Sequence, residues 1–468
     1  MSWVRRAREL HDELAAIADL DLDPRWWLVA GAAAIAERAR SSSSYLISDA
    51  EPGADTFIGV ERPAPADPIA DAIARAHAAR AALRELGGKL PDQPLAVTLH
   101  RNHGATVVPS NLDVAAFAIG DRVIVARLDD PELAARLAAR TPATAPAAVP
   151  FVCVSIGDEP IETARHGHRR AWRDDAGPWL GLGRASGLAV VSTCHMVVDG
   201  YGHAWLAAAI TQHHARLAAA ARPTGFPSAL CPPLAPVAGA VPLGVAWREL
   251  PMPAPRALPL GYRLGCVLHR RAGRPDAPFS PTFQIPVAPG RPDDPERRLR
   301  RVVPSTMSVR FAHGEPEPYE VFETRARAIL AREADRRGLC SRLLAAASAM
   351  PLSLAWKRKT FSASRPRWLD HVAEVMGGRA CVSRLRLATP LPPACAVSSP
   401  ARLASASDPL GACVITVIEN GTHAAITACG SGLAGTRAEA EALLDELLSD
   451  ASSERPRTLR GRIPSSRT

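Results

Sequence analysis

The stretch VVSTCHMVVDG, from Val190 to Gly200, decides the fold of the first half of this chain. Residues 188–193 are apolar or β-branched at nearly every position, which predicts a strand buried on both faces. The residues after Gly200 are strong helix formers without a proline, which predicts a helix. The sequence therefore predicts that His195 and Asp199 lie at a strand-to-helix junction, where a strand end holds a reactive side chain rigidly beside a cleft.

The spacing of this stretch is HxxxDG, from His195 through Asp199 to Gly200. A histidine at the end of a buried strand can act as a general base, and the aspartate and glycine can fix the loop that aims it. A structural interpretation stays open beside this one. In it, Asp199 is the N-cap of the helix, Gly200 is a turn residue and His195 is a core histidine.

On these three residues the chain resembles the CoA-dependent acyltransferases of the chloramphenicol acetyltransferase type. That superfamily includes the acyltransferase cores of 2-oxoacid dehydrogenase complexes, peptide-synthetase condensation domains, plant BAHD enzymes and bacterial wax ester synthases. Many members read HHxxxDG, and here Cys194 replaces the first histidine. The departure keeps the superfamily pattern but weakens assignment to the condensation or wax ester branches.

The resemblance implies an α/β (α+β) fold of two acetyltransferase-like domains, each a mixed sheet covered by helices, arranged as a pseudo-dimer. The length of 468 residues suits two domains of about 200 residues each. We expect a first half at 1–222 that carries the histidine and a second half at 260–450 that completes the cleft. Prolines recur between them and predict a crossover linker at 223–259. Residues 451–468 are expected to be a disordered basic tail.

Local signals predict several further elements. Asp67, Pro68 and the Gly87-Gly88 pair are the expected cap signals of a helix. Thr436 and Glu439 form a capping box that opens a last helix, which ends near Asp450. The predicted strands are 95–100, 123–128, 151–156, 306–311 and 381–387, with a helix at 319–337. Strands 413–418 and 422–429 flank Asn420-Gly421, a favoured two-residue hairpin turn.

Two glycine-rich segments need a separate interpretation. Gly430, Gly432 and Gly435 match GxGxxG between a strand and a helix, but no second parallel strand and no acidic residue follow, so we do not expect nucleotide binding. The segment GLGRASG at 181–187 precedes its strand and is expected to be the loop that enters it.

Composition restricts the setting of the protein. The nine cysteines include no CxxC pair, which predicts neither a disulfide framework nor a zinc site and favours a reduced, cytoplasmic protein. No apolar run is long enough for a membrane span, although peripheral membrane contact stays open. The net charge of +9 comes from scattered arginines with few aromatics, so we expect no nucleic-acid partner. Part of that charge could attract the phosphates of CoA.

The remaining histidines carry weaker predictions. The pairs His166/His168 and His213/His214 are expected on the solvated surface, because no nearby carboxylate or cysteine completes a metal-ligand set in sequence. His203 lies near the first turn of the predicted helix. It is a candidate for lining the substrate cleft, with capping or packing as the alternative.

The resemblance implies roles for particular residues. Neutral His195 removes a proton from a hydroxyl or amine acceptor that attacks the thioester of an acyl-CoA or acyl carrier protein. Ser398 and Ser399 are candidates for oxyanion contact, and Arg310 is the expected partner of Asp199. No bound cofactor or metal is implied. The expected partners are a small-molecule donor and acceptor, with a carrier protein as a further donor, and we expect a monomer or weak dimer.

Three alternatives remain. The first is a catalytically silent member of this fold that binds an acyl carrier or partner enzyme, which Cys194 favours. The second is a scaffolding protein whose motif is accidental. The third is an oxidoreductase that uses the terminal glycines, which would contain a nicotinamide or flavin.

Overall fold

The computed structural model of the chain describes most of both halves. The described residues are 3–18, 44–48, 55–88, 96–101, 104–109, 111–141, 149–172, 177–178, 180–194, 200–220, 223–237, 240–273, 281–286, 306–310, 316–327, 379–387, 391–398 and 403–453. The predicted tail therefore lies outside the described residues, except for its first three positions, which are helical.

Helices occur between single strands and runs of strands along the chain. The helices are α1 Trp3–Ala18, α2 Pro68–Gly88, α3 Leu133–Ala139, α4 Ile161–Ala164, α5 Gly200–Ala220, α6 Ala257–Ala272 and α7 Arg437–Ser453, and residues 319–327 are also helical. The strands are β1 Ser44–Ser48, β2 Asp55–Glu61, β3 Ala96–Arg101, β4 Gly104–Pro109, β5 Asn111–Ile119, β6 Arg122–Arg127, β7 Pro150–Ile156, β8 Leu180–Ala185, β9 Leu188–Cys194, β10 Gly244–Leu250, β11 Pro281–Pro286, β12 Thr306–Arg310, β13 Ala380–Arg386, β14 Ala394–Val397, β15 Cys413–Asn420 and β16 His423–Gly430.

The larger sheet has seven strands in the order β14-β2-β9-β8-β7-β5-β6. Strands β5, β7 and β8 run parallel, and the other neighbouring pairs are antiparallel. Helices α2 and α5 pack on one face, where Ile69, Leu83 and Leu206 join the apolar side chains of the strands in one buried core. The motif strand β9 lies inside this sheet, and its residues are buried through Thr193 except for Ala189, which is half-buried. This is the burial on both faces that its sequence predicts.

The second sheet has six strands in the order β10-β16-β15-β13-β11-β12 and is also mixed. Helices α6 and α7 and residues 319–327 cover it through a second core that includes Leu264, Phe322 and Leu444. A separate three-stranded sheet holds β1, β3 and β4. The predicted fold class, two mixed sheets covered by helices, is confirmed.

Strand β14 crosses from the second half of the chain to the first sheet. It pairs antiparallel with β2, and Val397 lies opposite Phe57. The side chain of Asn420 fixes the approach to β14, since its Oδ1 accepts the Leu391 N–H at 3.0 Å and its amide donates to the Leu391 carbonyl. The two halves of the chain are therefore joined by backbone pairing, which no local sequence pattern predicts.

The segment predicted as linker contains regular structure. Within 223–259, β10 forms an edge strand of the second sheet, a position that tolerates flanking prolines because one side of the strand is unpaired. Two arginines on the first half hold this segment by its backbone. Arg165 donates to the Val241 carbonyl, and Arg170 donates to that of Ala235. The division of the chain into domains at these residues stays a prediction.

The predicted starts of the two capped helices, α2 and α7, are confirmed. Asp67 caps α2 by accepting the Ala70 N–H at 2.9 Å, and Thr436 and Glu439 bond reciprocally at the start of α7. The hairpin of β15 and β16 forms, but its turn is displaced by one residue from the prediction. Asn420 pairs with His423, so the loop is Gly421-Thr422, and Gly421 takes the positive φ of +61°.

The prediction of a loop at 181–187 was wrong. Residues Leu180–Ala185 are strand β8, and only Ser186 and Gly187 form the turn into β9, with φ values of +49° and +82°. Glycines in this strand permit close approach of other groups. A Cβ at Gly181 would lie 2.3 Å from the His168 backbone nitrogen and from Ser192 Oγ.

No described helix is both long and apolar enough to cross a membrane.

Candidate functional site

The candidate site is built around the junction between β9 and α5. Strand β9 ends at Cys194 and helix α5 begins at Gly200. His195 and Asp199, the predicted base and its loop partner, lie outside the described residues. The structure therefore describes the chain up to Cys194 and again from Gly200. The contacts of these two residues show what surrounds the two ends of the motif.

Gly200 lies where the two sheets meet. A Cβ on this glycine would come within 3.3 Å of Cδ2 of Leu385, a buried residue of β13 in the second sheet. Leu385 belongs to the same core as helices α2 and α5. The start of α5 is thus packed against the second half of the chain, and the small side chain of Gly200 permits this close approach.

His203 holds α5 on the first sheet. Its side chain is buried, its Nε2 lies 2.6 Å from the Val191 carbonyl of β9, and its Nδ1 lies 3.5 Å from Thr56 Oγ1 of β2. A carbonyl can only accept, so Nε2 carries the proton. This is the packing alternative for His203, and a substrate contact for it stays a prediction.

A buried charge cluster lies beside the end of β9. Asp55, the first residue of β2, is the cross-strand partner of Cys194. Its carboxylate accepts hydrogen bonds from His166 Nδ1 at 2.6 Å and from Arg169 Nη2 at 2.7 Å, and Arg169 Nε is a further donor. His168 Nε2 lies 3.5 Å from Oδ1. The Asp55 carboxylate thus connects two segments of the chain. It joins the 3-10 turn Gly167–Ala171, and the residue directly before this turn, to the strand pair β2 and β9.

The prediction that His166 and His168 lie on the solvated surface was wrong. Both are fully buried, and the carboxylate missing from the local sequence comes from Asp55. In sequence, the segment ARHGHRR has the composition of an exposed charged loop, because its carboxylate partner, Asp55, is more than a hundred residues away. The only local signal is the alternation of two histidines with arginines, which is also typical of an exposed turn.

Protonation in this cluster follows from its contacts. Burial by itself raises the pKa of Asp55, but the charge of His168 and the contacts with His166 and Arg169 outweigh it and hold the pKa well below its usual range. Burial lowers the pKa of His166, although its hydrogen bond to Asp55 works in the opposite direction. The cluster therefore holds an ionised carboxylate and a neutral His166 near neutral pH.

The second histidine pair divides between core and surface. His214 is buried with Nε2 3.1 Å from Asp71 Oδ1, so the surface prediction was wrong for it. His213 is partly exposed beside Glu85, at 3.2 Å. Asp71 also accepts a hydrogen bond from Arg75 at 2.8 Å. Among the described residues, no group of three or more histidine, cysteine, aspartate and glutamate side chains is arranged to hold a metal ion.

Strand β14 brings Ser398 to the same end of the sheet as the motif. β9 and β14 flank β2 and both run antiparallel to it, so both end near Asp55. Ser398 directly follows Val397, the last residue of β14, and is partly buried. Neighbouring strands are about 4.8 Å apart, so β9 and β14 are about 10 Å apart across β2. Ser399 lies outside the described residues.

Arg310 is the last residue of β12, at the outer edge of the second sheet. Strand β11 pairs with both β12 and β13, and across it the position of Arg310 corresponds to that of Cys381 in β13. Gly200 instead contacts Leu385, four residues further along β13. The described backbone thus places Arg310 toward the opposite end of this sheet from the contact with Gly200. Its pairing with Asp199 stays a prediction.

The seven cysteines whose side chains the structure describes are free thiols. Burial raises the pKa of Cys153, Cys381 and Cys395 to about 12. Because the thiolate is the nucleophile, these three cysteines are inert at neutral pH.

Comparison with known proteins gives structural matches alone. No family model and no curated protein matches the chain. The first condensation domain of the CDA synthetase matches at 14% identity and a TM-score of 0.39, over 89% of this chain and 92% of that one. Polyketide synthase associated protein 5 from Mycobacterium tuberculosis matches at 13% identity and a TM-score of 0.37, over 87% and 97%.

A starter condensation domain of rhizomide synthetase, in complex with C8-CoA, matches at 11% identity and a TM-score of 0.35, over 86% of this chain and 90% of that one.

Proposed function

We propose that the protein is an acyltransferase that moves an acyl group from a CoA or carrier-protein thioester to a hydroxyl or amine. The observation that carries the proposal is the convergence of two distant segments at one end of the seven-stranded sheet. Strand β9 ends there at Cys194, directly before His195 in the chain, and β14 ends there directly before Ser398. A general base and a hydroxyl donor are the two groups that acyl transfer needs.

The proposed reaction uses His195 as the base. Neutral His195 takes the proton of the acceptor as its oxygen or nitrogen attacks the thioester carbonyl. The tetrahedral intermediate carries its negative charge on the former carbonyl oxygen, and the hydroxyl of Ser398 or Ser399 donates to it. When the intermediate collapses, the C–S bond breaks and the thiolate takes the proton from His195. The products are the ester or amide and the free thiol, and no covalent enzyme intermediate forms.

The surroundings of the motif support this assignment. The base follows a strand that lies between β2 and β8 inside the sheet, and Asp55 and His203 fix that strand from two sides. The glycine that ends the motif packs on Leu385 of the second sheet. A substrate that reaches His195 would therefore enter between the two halves. In this interpretation Asp199 and Arg310 are positioning residues, and the acyl chain and acceptor are set by the shape of that cleft.

The test is release of free thiol from acyl-CoAs of increasing chain length with mixed alcohol and amine acceptors. We expect acceptor-dependent release by the native protein and a loss of about 10²- to 10⁴-fold in His195→Ala. His423→Ala, which changes an exposed histidine, is the matched control and should retain native turnover. Ser398→Ala and Ser399→Ala, assayed separately, should identify the oxyanion donor by a loss of kcat of about 10²-fold.

Native turnover in His195→Ala would disprove the assignment. If the folded native protein releases no thiol from any acyl-CoA, the same assay with acyl carrier protein donors follows. Failure of both would leave the catalytically silent binding protein, the alternative that Cys194 favours.

A further inference from the structure

A second site lies at the opposite end of β9 from the motif. A cavity of about 570 Å³ opens beside the β8–β9 turn and is lined by Arg62, Pro63, Asp158, Arg184, Gly187 and Pro392, among others. Leu188 and Cys194 are the two ends of β9, and six residues of strand span about 20 Å. The cavity is therefore distinct from the proposed acyl-transfer site and would hold a ligand of its own.

Two guanidinium groups line this cavity, and neither has a carboxylate partner among the residues that the structure describes. Arg184 of β8 is only 6% exposed, and its Nη2 donates to the Arg62 carbonyl at 3.0 Å. Within the described part of the chain, neither Arg184 nor Arg62 forms an ion pair, and the Arg62 side chain makes no hydrogen bond. Arginine has five N–H donors in a fixed fork. Most donors of these two residues thus face the cavity or solvent.

The buried ion pair of Arg75 and Asp71 lies behind the cavity and adds no net charge to it. Arg75 is buried, with its Nε bonded to Asp71 at 2.8 Å and its Nη2 bonded to the Ser155 carbonyl at 3.0 Å. Burial, followed by the charge of Arg75, lowers the pKa of Arg184. Burial also lowers the pKa of Arg62, and the charge of Asp71 works in the opposite direction at both residues without cancelling the shift. A positive charge that is buried without its counter-ion costs free energy, and a bound anion would offset that cost.

Among the described residues, the carboxylates on the cavity wall form no ion pair with these arginines, although the charge of Asp158 raises the pKa of Arg184. Glu61 and Asp158 also line it, but both are exposed to solvent, and neither comes within 4.0 Å of a described guanidinium nitrogen. The buried groups of the cavity are thus cationic and the anionic groups are at its solvated rim. Pro63, Ala64 and Pro392 provide an apolar wall beside the two arginines.

We propose that this cavity binds the oxyanion of a small molecule, a phosphate monoester or a carboxylate, between Arg62 and Arg184, with the organic part of the ligand against Pro63, Ala64 and Pro392. Planar guanidinium groups match the geometry of both oxyanions and bind them in a bidentate manner. The volume lies in the range of small-molecule sites. The proposal is independent of acyl transfer at His195.

The experiment titrates the full-length protein with inorganic phosphate and, separately, with succinate, by calorimetry at constant ionic strength with chloride as the reference ion. We expect saturable binding of at least one of the two probes, weakened at least tenfold in Arg62→Gln. Arg216→Gln, which changes an exposed arginine of α5, is the matched control and should bind as the native protein does. Asp158→Asn should tighten binding, because it removes a rim carboxylate that repels the anion.

Binding of phosphate alone would identify a phosphate-bearing ligand, and binding of succinate alone a carboxylate-bearing one. Arg184→Gln should lose binding as Arg62→Gln does. If Arg184→Gln fails to fold, Arg62→Gln decides, because the Arg62 side chain has no described hydrogen-bond partner. The proposal is overturned if neither probe binds more tightly than chloride or if Arg62→Gln binds with native affinity.

Discussion

Asp55 and Cys194 are cross-strand partners in β2 and β9, and the carboxylate of Asp55 is the centre of a fully buried cluster with His166 and Arg169. The proposed base, His195, is the next residue after this pair. The end of the motif strand is thus fixed by an ion pair whose members are separated by more than a hundred residues.

Asp55→Asn should destabilise the protein by about 3–5 kcal/mol, because it leaves the buried Arg169 without its counter-charge. The measurement is urea unfolding at neutral pH. Asp129→Asn, which breaks an exposed pair with Arg127, is the matched control and should change stability little. Equal stability of Asp55→Asn and the native protein would show that the cluster does not hold β2 and β9 together.

His166 should make the protein less stable as the pH falls. Burial lowers its pKa in the folded state, so below about pH 6.5 the unfolded chain takes up a proton that the folded chain does not. Stability from this residue is therefore present above about pH 6.5 and is lost below it, by up to about 1.4 kcal/mol per pH unit. The pKa of Asp55 is also lowered in the folded state. Its ionised carboxylate therefore stabilises the protein, and this stability is lost only below about pH 4, where the unfolded chain takes up the proton.

His166→Asn keeps a donor toward Asp55 but cannot titrate. We expect unfolding free energies of this variant, measured between pH 7 and 5, to fall less steeply than those of the native protein. His423→Asn, at an exposed position, should retain the native slope. A native slope in His166→Asn would mean that this residue titrates alike in the folded and unfolded states.

Asn420→Ala should loosen β14. The variant leaves the Leu391 N–H and carbonyl without their partner, at a cost of about 1–3 kcal/mol. We expect faster amide hydrogen exchange in residues 394–397, measured by mass spectrometry, and unchanged exchange in β9. Thr422→Ala, in the exposed turn of the same hairpin, serves as the control. Native exchange of β14 in Asn420→Ala would contradict the role given to this side chain.

Gly200→Val should destabilise the contact between the sheets by about 1–3 kcal/mol, because the new side chain collides with Leu385. Leu385→Ala should relieve the collision, so the double variant should be more stable than the sum of the single changes by about 0.5–3 kcal/mol. The measurement is a double-mutant cycle by chemical unfolding. Gly200→Val combined with Leu268→Ala, a change in the second core, should be additive; a coupling of the same size there would refute a direct contact.

Local sequence determined the secondary structure around the site. The caps Asp67 and Thr436, the apolar run of β9 and the helix formers after Gly200 each specify their element through neighbours a few residues away. The predicted position of an element was wrong where the contact of a single residue determines it. The turn after β15 is displaced because Asn420, a favoured turn residue, instead uses its amide to bind Leu391 in the core. The strand β8 was missed because its glycines resemble a loop.

The sequence by itself determined the elements with clear local signals, including α2, α7 and the hairpin of β15 and β16, and the position of the HxxxDG motif between β9 and α5, because hydrophobic periodicity and capping act within one or two turns of chain. The tertiary structure alone decided the partner of Asp55, the crossing of β14 to the first sheet, the level of Ser398 beside the end of β9 and the pairing of Arg62 with Arg184. Each of these depends on strand pairing or burial between distant segments, and the free energy of a buried charge depends on groups that local spacing does not specify.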